Sequence, residues 1–371
     1  MADEFSPLET EIRRLIAAAG PMPVADYMRL CLTHPKYGYY LTQEPIGAAG
    51  DFITAPEISQ MFGEIIGLWM ATVWKQMGAP ENVRVVELGP GRGTLMADAV
   101  RAVQIVKDFR TAMVLHLVEI SPKLQEVQRR RLEGTGVPIL WHPTLDDVPG
   151  GPIIIVANEF IDALPIHQAV QQADGWHQRF VEIAPDGKLS IGVANDPLPH
   201  FDATLPRALR QSPEGSIYEW RPETVALELG RRVRAGGAVL VIDYGHTRQG
   251  LGETLQAVAG HAFADPLRAP GEADITAHVD FAALAQGAEI IGARVHGPVS
   301  QGDFLRRLGI DKRAAALKSR APAEKASEID GALARLTGTG SKGMGELFKV
   351  LAIADPKFGP LPGFEKGGPG E

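Results

Sequence analysis

Five short apolar runs alternate with helical stretches through the middle of the chain. The runs lie at residues 83–88, 114–119, 138–141, 152–157 and 237–243. Helical periodicity follows three of them, near residues 94–107, 122–133 and 222–235. Short continuous runs rich in Val, Ile and Leu are typical of buried parallel strands. Strands that alternate with helices in this way predict an α/β fold built on a largely parallel sheet.

The flanking segments carry other patterns. In the segment 1–80, Leu8, Ile12 and Ile16 recur at helical spacing, which predicts a helical N-terminal cap. In the segment 166–220, two short alternating runs surround Pro185-Asp186-Gly187, which predicts an insertion that contains a β-hairpin.

The rest of the chain completes the expected domain plan. Residues 81–165 and 221–355 are left for the α/β core, and the Gly/Pro-rich residues 356–371 predict a flexible tail. Within the second core segment we expect helices and two further strands, which would form an antiparallel edge. These helices are predicted at 278–287, 301–308 and 312–336, and the strands at 289–295 and 346–353.

The first core strand runs into a glycine-rich turn, Val85-Val86-Glu87-Leu88-Gly89-Pro90-Gly91-Arg92-Gly93. In doubly wound α/β folds, ligands bind where such a turn leaves the carboxyl end of a strand, because glycines let the backbone approach the ligand closely. A nucleotide-like ligand is therefore the first hypothesis. The dinucleotide fingerprint requires a third glycine where this chain has Thr94, which weakens the alternative of an NAD-dependent oxidoreductase. A strand-turn-helix without any ligand stays open.

The spacing of the acid and the glycines, E-x-G-x-G-x-G, resembles motif I of the class I S-adenosylmethionine-dependent methyltransferases. In that family the leading acid, here Glu87, anchors the amino-acid end of the cofactor. The resemblance implies that Gly89, Pro90, Gly91 and Gly93 line the cofactor.

The second core strand also ends in an acid. Glu119 stands about 26 residues beyond Gly93, near the offset at which an acid meets ribose hydroxyls in nucleotide-binding α/β folds. We expect Glu119 to bind the ribose, with Ile120 beside it. An ordinary acid at the start of a helix, before Ser121-Pro122, is the alternative.

The turn after the third strand contains Leu145 and Asp146. It lies where methyltransferases of this class contact adenine, so the resemblance implies a cofactor contact for both residues. A solvated loop is the alternative.

Polar side chains follow the fourth and fifth strands at the same carboxyl edge. Asn158, Glu159 and Asp162 follow the fourth strand, and Asp243 and His246 end the fifth. We expect Asn158 to contact the cofactor. Glu159, Asp162, Asp243 and His246 are the candidate catalytic residues, because a carboxylate there can orient an acceptor and take its proton. A helix-start acid and a structural histidine are the alternatives.

The polar segment Gly50 to Ser59 precedes a long apolar helix. Its small polar residues predict either a lid over the cofactor, with Gly50 and Thr54 in contact with it, or only a capped helix start.

Composition narrows the function classes. The 371 residues carry a formal net charge of -8, which disfavours a protein that binds nucleic acid through a basic face. The single cysteine, Cys31, excludes an internal disulfide. No apolar run approaches the length of a membrane span, no secretory signal is visible, and no metal site is predicted. A cytoplasmic location is the simplest expectation.

With these motifs in place, the chain resembles the MidA-like family of class I methyltransferases, whose mitochondrial member is a complex I assembly factor described as a protein arginine methyltransferase. The resemblance covers most of residues 20–355. It depends on segments that are jointly specific: His34 to Tyr40, Gly50 to Gly63, Glu87 to Thr94, His116 to Leu124, Ala157 to Pro165, Ile242 to His246 and Gly302 to Leu305.

The resemblance implies a seven-stranded Rossmann-like sheet, S-adenosyl-L-methionine as methyl donor, and a protein substrate, an arginine of a complex I (NADH-quinone oxidoreductase) subunit. One departure stands out: well-known arginine methyltransferases use a loop with two glutamates, whereas Glu159 is followed only by Asp162. A non-catalytic assembly protein that keeps a cofactor pocket therefore stays open as the competing interpretation.

Overall fold

A computed structural model describes residues 5–43, 54–260, 262–340 and 343–365. It divides into two compact units. Unit 1 comprises Met1–Phe52, Asp162–Pro222 and Arg248–Asp280, and unit 2 comprises Ile53–Ile161, Glu223–Thr247 and Phe281–Glu371. No helix among the described residues is long and apolar enough to cross a membrane.

The helices of the described residues are numbered in chain order. They are α1 (Pro7–Ala19), α2 (Val24–Thr33), α3 (Tyr39–Thr42), α4 (Ala55–Ile58), α5 (Gln60–Gln76), α6 (Thr94–Ala102), α7 (Lys107–Ala112), α8 (Pro122–Leu132), α9 (Phe201–Thr204), α10 (Thr224–Val233), α11 (Phe281–Ile290), α12 (Gln301–Arg307), α13 (Ile310–Lys318), α14 (Ala323–Thr337) and α15 (Met344–Leu347). Short 3₁₀ helices lie at Val103–Ile105, Leu145–Asp147 and Arg207–Leu209.

The strands are numbered in the same way. They are β1 (Met22–Pro23), β2 (Val83–Leu88), β3 (Met113–Val118), β4 (Ile139–His142), β5 (Ile153–Asn158), β6 (His167–Gln172), β7 (Gly175–Ile183), β8 (Leu189–Val193), β9 (Ile217–Trp220), β10 (Gly237–His246), β11 (Gln256–Ala259), β12 (Ala262–Ala264), β13 (Asp274–Thr276), β14 (Val279–Asp280), β15 (Arg294–Ser300) and β16 (Phe348–Ala354).

Unit 2 is built on seven strands in the order β15-β16-β10-β5-β2-β3-β4. The pairs from β10 to β4 are parallel, whereas β16 pairs antiparallel with both β10 and β15. The strand β2 pairs with β3 on one side and with β5 on the other. The order of the strands along the chain therefore reverses between β2 and β5. Ligands of open α/β sheets bind at such a point, outside the carboxyl ends of the strands. The predicted Rossmann-like fold is confirmed.

The helix α5 belongs to unit 2, although residues 1–80 were expected to form one cap. It packs on α6 through glycines. A Cβ atom at Gly63 would lie 2.8 Å from the carbonyl oxygen of Leu95, and one at Gly67 would lie 2.7 Å from that of Ala99. Because only glycine permits this approach of two helix backbones, the segment is joined to the core that it precedes.

Unit 1 joins three segments that are distant in the chain. The helix α1 begins at Pro7, where the Ser6 side chain accepts a hydrogen bond from the Glu9 N–H, as an N-cap does. The predicted hairpin is present, since β7 and β8 pair antiparallel around Gly187, which has a φ of +83°. Residues 248–280, expected in the core, supply instead a three-stranded sheet in the order β12-β11-β13.

Two further expectations need correction. The strand expected at 289–295 begins only at Arg294, because α11 continues to Ile290 and a turn at Gly292, with a φ of +79°, follows it. The expected flexible tail is packed as far as residue 365. Leu361 is fully buried, and the Trp69 indole N–H donates to the carbonyl oxygen of Pro362 at 3.2 Å.

Candidate active site

The glycine turn leaves β2 in a left-handed backbone conformation. Gly89, Gly91 and Gly93 have φ values of +62°, +52° and +77°, which side chains with a Cβ rarely adopt. The Gly93 N–H donates to the carbonyl oxygen of Pro90 at 2.8 Å. A Cβ atom at Gly89 would lie 2.8 Å from the Phe160 ring. The turn is thus fixed in a form in which backbone rather than side chains lies at the carboxyl end of β2.

Glu87 lies just before this turn and has an incomplete set of hydrogen bonds. Its side chain is 3% exposed, and its Oε2 atom has no hydrogen-bond partner among the described residues. Burial, together with the charge of Glu119, raises the pKa of Glu87 to about 8. Since buried polar atoms are nearly always paired, this oxygen fits a site that receives a donor group from a ligand.

Glu119 follows β3 and is 7% exposed. Its Oε1 accepts the Ser121 N–H at 2.7 Å, and its Oε2 accepts the Gln128 side-chain N–H at 3.1 Å. Burial raises the pKa of Glu119 to about 7, while these hydrogen bonds and one from the Ile120 N–H act in the opposite direction. The helix-start contact left open by the sequence is therefore present at one oxygen. Ile120 is 42% exposed beside it.

The turn expected to meet adenine is the 3₁₀ helix Leu145–Asp147. Arg232 of α10 holds it by donating to the carbonyl oxygens of Leu145 at 2.5 Å and Val148 at 2.7 Å. The Asp146 side chain is 78% exposed and lies 3.6 Å from Arg232. The backbone of this turn is consequently fixed, whereas Asp146 faces solvent.

Asn158 ends β5, and Glu159 follows it beside the glycine turn. The Oε1 atom of Glu159 accepts the Ala55 N–H at 3.0 Å and the Asn158 side-chain N–H at 3.2 Å. Glu159 has a φ of +51°, an uncommon conformation for a residue other than glycine. The Oδ1 atom of Asn158 is buried without a partner among the described residues, and Thr54 is the residue that precedes α4.

The helix α4 is also attached to the glycine turn. The Glu57 carboxylate accepts the hydroxyl of Thr94, the first residue of α6, and Arg131 of α8 donates to that hydroxyl at 2.5 Å. The first helical turn after Thr54 is therefore held against the start of α6.

Asp243 lies in β10 and is fully buried. Its Oδ2 accepts the N–H groups of Phe160 at 3.3 Å and Ile161 at 3.0 Å, and its Oδ1 accepts the Tyr244 N–H at 2.9 Å. These bonds hold the chain immediately after Glu159, so the geometry favours a positioning role for Asp243. His246, at the end of β10, is half-buried.

Two expected residues are not among those joined by the hydrogen bonds described above. Asp162 is the first residue of its segment of unit 1, where it is 5% exposed. There the charges of Asp274 and Asp162 add to the effect of burial, which raises the pKa of Tyr40. Gly50 lies outside the described residues. In the described ranges, no group of three or more His, Cys, Asp or Glu side chains is arranged to hold a metal ion.

Sequence reasoning missed three residues of this region. Gln128 contacts Glu119 and the turn, Phe160 lies against Gly89, and Arg232 holds the turn that contains Leu145. The sequence around a single glutamine or arginine on a polar helix does not show whether its side chain contacts a site or only solvent.

Comparison with known proteins identifies this architecture. Residues 65–299 match the family described as "Putative S-adenosyl-L-methionine-dependent methyltransferase". The crystal structure of a "likely methyl transferase" from Burkholderia thailandensis, bound to S-adenosyl-homocysteine, is 29% identical with a TM-score of 0.82. The match covers 97% of this chain and 95% of that one.

Two curated relatives have the same name, "Protein arginine methyltransferase NDUFAF7, mitochondrial". The one from Danio rerio is 40% identical over 329 residues, which cover 82% of this chain and 77% of the relative. The one from Homo sapiens is 35% identical and covers 94% of this chain and 83% of the relative. The cytoplasmic location expected from the sequence is contradicted by these names, which assign the relatives to the mitochondrion.

Proposed function

We propose that the chain, which belongs to the family of S-adenosyl-L-methionine-dependent methyltransferases, transfers a methyl group to an arginine side chain of a protein. The names of the zebrafish and human relatives support arginine as the acceptor. We propose a complex I subunit as the acceptor protein, on the resemblance found in the sequence.

The observation that carries the proposal is the pair of buried oxygens without partners at the carboxyl ends of the neighbouring strands β2 and β5. The Oε2 atom of Glu87 and the Oδ1 atom of Asn158 both lack a hydrogen-bond donor among the described residues. The cofactor offers an ammonium group and hydroxyls, which are suitable donors for these oxygens. The residues present therefore fit the cofactor of the family.

The proposed binding roles follow from this fit. Glu87 holds the ammonium group of the cofactor, and Glu119 accepts hydrogen bonds from the ribose hydroxyls beside Ile120. The turn with Leu145 and Asp146 borders the adenine. Gly89, Pro90, Gly91 and Gly93 bring backbone close to the amino-acid portion, since no side chain intervenes there. Asn158 and Thr54 border the methyl donor.

The cofactor, when bound, supplies a methyl group activated by its attachment to a sulfonium. Glu159 orients the guanidinium, which arrives charged because arginine is not deprotonated in proteins. Glu159 would also take the proton that the nitrogen releases when the N–C bond forms and the S–C bond of the sulfonium breaks, with the thioether as leaving group. In the present conformation Oε1 of Glu159 accepts the Ala55 and Asn158 N–H groups, so a guanidinium that binds this oxygen must replace or share these contacts. Asp243 holds the turn that carries Glu159, and His246 and Asp162 are the remaining candidates for the proton.

The test is transfer of labelled methyl groups from the cofactor to an extract of cells that lack this protein. We expect label on arginine, located by mass spectrometry of tryptic peptides, and none with Gly91→Val as the enzyme. Label on another residue type would contradict the acceptor. If the wild-type chain binds the cofactor but leaves the extract unlabelled, it is a non-catalytic binding or assembly protein.

A further inference from the structure

Gln128 of α8 is a fully buried polar residue whose amide makes three hydrogen bonds. Its Nε2 donates to the carbonyl oxygen of Gly91 at 2.8 Å and to Oε2 of Glu119 at 3.1 Å. Its Oε1 accepts the Trp141 indole N–H at 2.8 Å. A glutamine amide offers two N–H donors and one carbonyl acceptor. Each of these groups has a partner here, so the amide has one favourable orientation.

The hydrogen bonds to Trp141 and Gly91 fix the orientation of the amide, and this orientation determines where its remaining N–H points. The indole of Trp141 belongs to β4 and the carbonyl of Gly91 to the glycine turn, and neither can rotate freely. A Cβ atom at Gly93 would lie 3.4 Å from Cγ of Gln128, so the aliphatic part of the side chain also packs against the turn. The remaining N–H is consequently aimed at the Glu119 carboxylate.

We propose that Gln128 is a positioning residue for cofactor binding, which holds the Glu119 carboxylate at a fixed distance from the glycine turn so that its oxygens meet the ribose hydroxyls. This inference rests on the proposed role of Glu119. Under this inference, Gln128 sets the position of the acid after β3 relative to the glycine turn after β2. Gln128 lies outside the motifs on which the sequence resemblance depends.

Charge supports the same role. Glu119 is buried, and burial favours its protonated form. The N–H groups of Gln128, Ser121 and Ile120 counteract this, because they donate to the charged carboxylate. A carboxylate is the better acceptor for a ribose hydroxyl, so the Gln128 N–H shifts the protonation equilibrium of Glu119 toward the form that binds.

A second glutamine on α8 provides a matched control. Gln125 also donates to Glu119, but to its backbone carbonyl oxygen, at 2.9 Å. Gln125→Met and Gln128→Met therefore each remove a glutamine amide from α8 and, with it, one hydrogen bond to Glu119. Only Gln128→Met removes a contact to the carboxylate.

The experiment measures the dissociation constant of S-adenosyl-homocysteine by calorimetry. We expect Gln128→Met to raise it about tenfold, the loss of one hydrogen bond to a charged group, and Gln125→Met to change it less than about twofold. In turnover assays, the KM for the cofactor should rise about tenfold with Gln128→Met, while kcat stays within about twofold. An unchanged dissociation constant in a folded Gln128→Met protein overturns the inference.

Two further variants separate this inference from the proposed function. Glu119→Ala should weaken binding about 10- to 100-fold, and adding Gln128→Met to it should have little further effect, because the carboxylate that Gln128 positions is already absent. If Gln128→Met weakens binding equally in both backgrounds, Gln128 acts independently of Glu119 and the inference fails. If Glu119→Ala binds like the wild type, the proposed cofactor site itself fails.

Folding is checked separately. If Gln128→Met does not fold, Trp141→Phe replaces it, since this change removes the donor that fixes the Gln128 carbonyl and keeps an aromatic ring beneath Arg129. It should raise the dissociation constant in the same direction by a smaller factor, and no change would overturn the inference.

Discussion

Oε1 of Glu159 accepts a hydrogen bond from the backbone N–H of Ala55 at 3.0 Å, across 104 positions of sequence. The residue proposed to handle the arginine guanidinium therefore also caps the first turn of α4. The helix α4 is also attached through Glu57 to Thr94 at the start of α6. A guanidinium that replaces the Ala55 contact would therefore remove one of the hydrogen bonds that fix the position of α4. Acceptor binding and the position of α4 are thus expected to depend on each other.

We expect Glu159→Gln to leave the dissociation constant of the cofactor within about twofold and to lower kcat at least about 100-fold. The amide keeps the size of the side chain and an oxygen for the Ala55 N–H. It can neither balance the guanidinium charge nor accept its proton. Calorimetric titration and initial rates on the methyl acceptor check both parts. Wild-type turnover would move the catalytic role to His246 or Asp162, or exclude arginine as the substrate.

Gly91→Val is expected to abolish cofactor binding. The position has a φ of +52°, which a β-branched residue tolerates poorly, and its side chain would occupy space where backbone meets ligand. Gly134→Val is the matched control, because Gly134 has a φ of +76° and an added Cβ there would meet no atom within 4 Å. Both variants should lose stability, but only Gly91→Val should lose binding. Equal cofactor affinity in the two folded variants would contradict the pocket.

Glu87 is expected to contribute stability to the apoprotein that is lost as the pH rises from about 5 to 8. Burial raises the pKa of Glu87 from 4.5 to about 8, so between these values the folded chain holds a proton that the unfolded chain has released. Stability therefore falls with rising pH in this window. Glu87→Gln removes this titration. The free energy of unfolding of the variant minus that of the wild type should therefore be larger at pH 8 than at pH 5. Urea denaturation at both values measures this difference, and a constant difference would mean that Glu87 titrates normally.

The strands at the centre of unit 2 could be predicted from the sequence to within one or two residues at their starts. Ile153–Asn158 and its neighbours are short apolar runs buried on both faces, and such runs carry their own signal. The small strands of unit 1, such as Ala262–Ala264, are too short and too exposed to show a period. Their pairing depends on contacts between distant segments.

The same contrast holds for the site. Glu87 and Glu119 could be proposed from the sequence because they stand at the ends of apolar strands, Glu87 directly before the glycine turn. Gln128 could not, since its role depends on where α8 places it relative to Gly91 and Trp141. Asp243 was expected to be catalytic because it ends a strand, but its carboxylate accepts backbone N–H groups around Glu159. Only the three-dimensional structure shows where those hydrogen bonds go.

The ion pair between Glu64 and Arg313 is expected to stabilise the packing of α13 on α5. Arg313 donates to both oxygens of Glu64 at 2.7 and 2.9 Å, and the Glu64 side chain is only 7% exposed. Arg313→Met should lower the free energy of unfolding by about 1–3 kcal/mol, because it leaves a buried carboxylate with only a weaker contact to Arg101 at 3.4 Å.

The surface pair of Arg14 and Glu11 provides the control for this prediction. These side chains lie 4.0 Å apart, and that of Arg14 is 70% exposed, so Arg14→Met should change the free energy of unfolding by less than about 0.5 kcal/mol. Adding Glu64→Gln to Arg313→Met should recover part of the loss, since a neutral amide is less costly to bury than an unpaired charge. Equal effects of Arg313→Met and Arg14→Met in urea denaturation would show that the buried carboxylate does not depend on Arg313.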